Sequence, residues 1–127
     1  MKKDIVNYWV KSSDDDFGTM EHLYKSKDYS WSMFLGHLVI EKLLKAYYVK
    51  NIGNNVPFTH DLLRLAERAE LVLTEKQKDF LDMATTFNIN ARYDDYKRRF
   101  HKKCTSTFTA KSIKAIREFR AWIKTML

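Results

Sequence analysis

Thirteen of the nineteen residues from Trp31 to Val49 are apolar, and on a helix they fall around most of the circumference. A helix that is apolar on nearly every side lies in the middle of a bundle or at an interface. His37, Glu41, Lys42 and Lys45 interrupt the stretch, and four such groups in hydrocarbon are too costly for a membrane span. The stretch therefore predicts a buried helix over Tyr29 to Asn51. Asn51, Gly53, Asn54 and Asn55 tolerate the left-handed backbone that ends a helix, and Pro57 cannot continue it.

The remaining sequence must surround that helix, and it offers mainly other helices. Three glycines and one proline in 127 residues leave little material for the turns that sheets need. One domain over residues 1–127 is the expectation at this length. A first helix is predicted from Lys3 to Lys25, with Ile5, Trp9, Phe17, Met20, Leu23 and Tyr24 on one face. Ser12, Ser13 and Asp16 make that face partly polar, and Gly18 weakens the helix. Thr59 is placed to cap a short helix from His60 to Ala69, with Asp61 facing its dipole. Thr74 and Gln77 form a capping box for a helix reaching Phe87. Thr109 or Ser112 opens the last helix, along which Ile113, Ile116 and Ile123 recur. That leaves a connection from Asn88 to Phe108, long enough to suggest function.

The same connection concentrates the charge. Of the net +7, a share of +4 lies between Arg92 and Lys103, where six cations face two anions. In ARYDDYKRRFHKKC the cations Arg92, Lys97, Arg98, Arg99, Lys102 and Lys103 alternate with the rings of Tyr93, Tyr96 and Phe100. Cations seek phosphates and flat rings stack on bases, so the segment reads as a nucleotide- or RNA-binding surface. A solubilising loop with its rings tucked onto the bundle is the other reading.

His37, Glu41 and Lys45 are spaced four apart and stack along one line of the central helix. They form either a solvated or interface stripe, with Glu41 and Lys45 paired, or one wall of a polar groove. His60 and Asp61 are further candidates for that groove. Asp61 is already explained by helix initiation, whereas His60 is not. No metal site is expected, because the four histidines and Cys104 lack close ligand spacing. The glycine count excludes glycine-rich phosphate loops, and no cofactor is expected. With one cysteine, no intrachain disulfide forms, and the scattered apolar positions of the N-terminus do not make a signal peptide. A cytoplasmic location is the expectation.

FLGHLVIEKLLKAYYV (residues 34–49), PFTHDLLRL (57–65) and NARYDDY (90–96), preceded by Trp9 and Asp14 to Asp16, occur in an order and spacing that resembles the HEPN family. The resemblance spans nearly the whole chain. It implies an all-α fold, an antiparallel up-and-down bundle of four to five helices, commonly a homodimer packed through its long helices. It also implies a minimal nucleotidyltransferase as partner, in a toxin–antitoxin-like pair. A catalytic branch of the family cleaves RNA without metal, using an Arg followed four to six residues later by a His. Here eight residues separate Arg92 from His101 and two separate Arg98 from it, and Asp94 stands where the family usually has proline. The expectation is therefore a non-catalytic nucleotide or RNA-binding module. A metal-independent ribonuclease relying on Arg92 and His101, and a dimeric scaffold without ligand, are the alternatives.

Overall fold

A computed structural model describes every residue except Asp94 and Lys97. Lys97, one of the predicted phosphate-seeking cations, and Asp94, at the family's proline position, thus lie outside the described residues. Six helices are described: α1 (Lys2–Lys25), α2 (Tyr29–Asn51), α3 (Leu62–Arg68), α4 (Glu75–Arg92), α5 (Arg99–Lys103) and α6 (Ser106–Lys124). None of the described helices is long and apolar enough to cross a membrane.

Side-chain contacts fix the direction of each long helix. The Ser13 hydroxyl donates to the Val39 carbonyl at 2.8 Å, and the Ser32 hydroxyl donates to the Met20 carbonyl at 3.0 Å. Seven residues forward on α1 correspond to seven back on α2, so the two run antiparallel. Both hydroxyls are buried and satisfied, which explains the polar interruption of the α1 stripe. Gly36 of α2 lies against Ile116 of α6, and Lys50 donates to the Met126 carbonyl at 2.8 Å, so α2 and α6 run parallel. Phe80 meets Phe119 at 5.6 Å and Phe87 meets Phe108 at 6.4 Å, which sets α4 antiparallel to α6. The four long helices therefore alternate up and down, with α3 and α5 as short connectors. Met33, Ile40, Leu44, Leu81, Ile116 and Ile123 are among the core residues withdrawn from solvent.

The helix expected over Tyr29 to Asn51 forms with those bounds, and the Thr74–Gln77 capping box is present in both directions, at 3.1 and 2.9 Å. Three expectations are corrected. The short helix begins at Leu62 rather than His60, and its cap is Asp61, whose carboxylate accepts from the Arg64 amide at 3.2 Å. A carboxylate there also meets the positive helix end, an advantage Thr59 lacks; Thr59 instead accepts from the Asp61 amide. The last helix opens at Ser106 under a Thr105 cap, which leaves Thr109 and Ser112 buried inside it. The connection expected from Asn88 to Phe108 is partly helical: α4 runs past Phe87 to Arg92, α5 adds another turn and α6 begins at Ser106, so the expected all-α bundle has six described helices. α5 is held by Phe100, buried 6.0 Å from Phe87, and by Cys104, also buried.

Candidate nucleic-acid interface

The end of α4, the bend after it and α5 form a cationic ledge on one side of the bundle. Tyr93 and Tyr96 stand outward, 70% and 91% exposed. Arg92, Arg98, Lys102 and Lys103 are exposed beside them. Arg98 enters α5 with a positive φ of 55°, a left-handed turn. An open cavity of about 280 Å³ lies on the ledge, lined by Asn90, Tyr93, Asp95, Arg99, Phe100 and Lys103.

The predicted members do not all behave alike. The Phe100 ring faces the core and is unavailable for stacking. Arg99 is answered within its own chain, with Nε 3.0 Å from Asp95 Oδ2, while Asp95 Oδ1 accepts from the Arg99 amide at 3.0 Å. The Lys103 ammonium lies over the Phe108 ring at 5.2 Å, a cation–π contact that leaves the side chain exposed. Arg92 has no carboxylate partner among the described residues. Its guanidinium lies between two rings, 5.1 Å from Tyr93 and 5.6 Å from Phe34 of α2. Phe34 in turn makes an edge contact, at 5.8 Å, with Trp31, which is 47% exposed. Trp31 and Phe34 were part of the apolar stretch that predicted α2, and only the antiparallel approach of α4 brings Arg92 to Phe34. His101 is exposed on α5 but does not line the cavity.

The second predicted group is a buried network, which corrects the reading of a solvated or interface stripe. His37 and Glu41 are 0% and 3% exposed within the single chain. The Glu41 carboxylate accepts from Lys45 Nζ at 3.1 Å and from His60 Nδ1 at 2.7 Å. Lys45 also lies over the Trp9 ring at 5.0 Å. His37 Nε2 is 3.0 Å from the His60 carbonyl, which only accepts, so Nε2 carries the hydrogen. Burial holds the His37 imidazole below its ordinary value despite the His60 carbonyl and Glu41, so the ring is neutral and its 3.8 Å approach to Glu41 is no ion pair. His60 is thus fixed twice, its ring by Glu41 and its carbonyl by His37. The network ties the α2–α3 connection to the centre of the bundle. Asp61, the remaining member of the predicted groove, is an exposed helix cap.

Comparisons with curated proteins and with solved structures give no match. Residues 6–126 match the family model described as HEPN domain. This match takes in every long helix, the buried network and the ledge, and by it the chain belongs to the HEPN domain family.

Proposed function

We propose that this HEPN domain is a binding module whose cationic ledge receives nucleotide or RNA, and that it works as a homodimer beside a minimal nucleotidyltransferase. The observation that carries the ligand reading is the pair of outward tyrosines, Tyr93 and Tyr96, set beside exposed Arg92 and Arg98. Exposed cations draw phosphates, and exposed rings offer the flat faces on which bases stack. The partner reading rests on the family, in which pairing with nucleotidyltransferases is common.

The module is assigned no cleavage of its own, because neither Arg spacing to His101 fits the family's catalytic pattern. Single-stranded RNA incubated with the purified protein in EDTA and low salt is expected to bind and stay intact. Arg92→Ala combined with Arg98→Ala is expected to weaken binding at least tenfold. Cleavage that disappears in His101→Ala would overturn the binding reading in favour of a ribonuclease. A co-expressed minimal nucleotidyltransferase is expected to co-elute with the domain, and the partner reading fails if it does not.

A further inference from the structure

We infer that the ligand is a single-stranded nucleic acid several nucleotides long, and that Trp31 on α2 is a second stacking platform for it. This inference rests on the ledge reading and extends it to a different helix. The geometry is a ladder of alternating rings and charge: Trp31 to Phe34 at 5.8 Å, Phe34 to the Arg92 guanidinium at 5.6 Å, and Arg92 to Tyr93 at 5.1 Å. Tyr93 borders the ledge cavity, so the ladder continues from the cavity onto the face of α2.

Two physical points select the ligand. A large indole left half in water on an otherwise well-buried helix marks a contact surface, since exposed apolar groups are usually scattered singly. Here it sits in series with a second exposed ring, Tyr93, and a guanidinium between them. A protein partner with an apolar face would leave the Arg92 charge unanswered. A phosphodiester strand answers it, with one base on Tyr93, another on Trp31 and the intervening phosphate at Arg92. A mononucleotide reaches only one end of the ladder. In a duplex the bases are already stacked on one another, and neither ring is supplied with a face.

The test uses the intact protein and its own tryptophan emission, with a ten-nucleotide oligoadenylate, AMP and a ten-base-pair adenylate–uridylate duplex as probes. The oligoadenylate is expected to quench emission, and Trp31→Leu is expected to abolish that quench and weaken binding about tenfold, the usual order for one stacked base. Trp31→Phe, which keeps a ring, is expected to restore most of the affinity. AMP and the duplex are expected to leave Trp31 emission unchanged. If the oligoadenylate binds wild type and Trp31→Leu equally, the ladder is wrong while the ledge reading survives. If it does not bind wild type at all, both fall. Should Trp31→Leu lower the sedimenting mass as well as the binding, Trp31 belongs to a contact between copies and the inference is overturned.

Discussion

At the scale of single residues, the buried Glu41 carboxylate decides how the centre of the bundle responds to mutation. Its partners reach solvent on their own, since Lys45 is 16% and His60 55% exposed at the side chain, but Glu41 does not. Removing a partner strands a charge, whereas removing the charge releases partners that water can accept. Lys45→Met should therefore destabilise by roughly 3 kcal/mol, and Glu41→Met by no more than about 1 kcal/mol, in urea unfolding at neutral pH. His37 adds a pH dependence of definite sign. Burial lowers its folded pKa below the ordinary 6.5, so the unfolded chain takes up a proton first as pH falls. Stability is full above about pH 6.5 and declines from there towards the lowered folded value. The groups facing it, Glu41, Lys45 and His60, are constant between wild type and His37→Gln, which keeps a donor but cannot titrate. The stability difference between pH 7.5 and 5.5 should be smaller in that variant. An equal difference in both proteins would show that His37 is not the titrating group.

Among the elements, α2 was readable because its apolar residues are so dense, and the start of α4 because Thr74 and Gln77 are a local, self-contained pair. α5 was not, because Arg-Phe-His-Lys-Lys has a single apolar residue and no stripe; only the contact of Phe100 with Phe87 makes it a helix worth forming. The ledge rings and cations were visible as composition, but the burial of Phe100 was not, because its partner, Phe87, is brought to it by the fold, whereas the pairing of Arg99 with Asp95, four residues earlier, is local. Two glycines separate local from tertiary demands in the same way. Nothing lies within 4 Å of a Cβ added at Gly18, so Gly18→Ala should stabilise α1 by about 1 kcal/mol through helix propensity alone. At Gly36 an added side chain runs into Ile116 and comes within 3.3 Å of the Met20 sulfur. Gly36→Val should cost about 1–3 kcal/mol by overpacking the junction of α1, α2 and α6. Thermal unfolding of the two variants, one raised and one lowered in Tm, checks both.

Across the whole molecule, charge is sorted by where it is answered. α1 and α6 are joined by Asp14, which meets Arg120 at 3.1 Å and Lys124 at 2.8 Å, and by Glu21 with Arg117 at 2.7 Å. Burial alone would raise the Asp14 pKa, but hydrogen bonds from Lys124 and Arg120 outweigh it and leave the carboxyl below its ordinary value. Those cations are committed to holding the bundle shut. On the ledge the balance differs: Arg92, Arg98, Lys102 and Lys103 are exposed, and Arg99 alone among the described arginines there is paired, with Asp95. The four accessible cations among the described residues predict that, on a single strand, log K falls with log salt at a slope of about −3, at ~0.7 per phosphate neutralised. Asp95 then becomes a brake. Asp95→Asn keeps an oxygen for the Arg99 amide, so the start of α5 is preserved, while the charge that occupies the guanidinium is gone. Binding of the oligoadenylate should tighten, and its salt slope should steepen by about 0.7, because one more cation meets the strand. Tighter binding with an unchanged slope would mean that Arg99 still does not reach a phosphate, and that the gain came only from relieving repulsion between Asp95 and the strand.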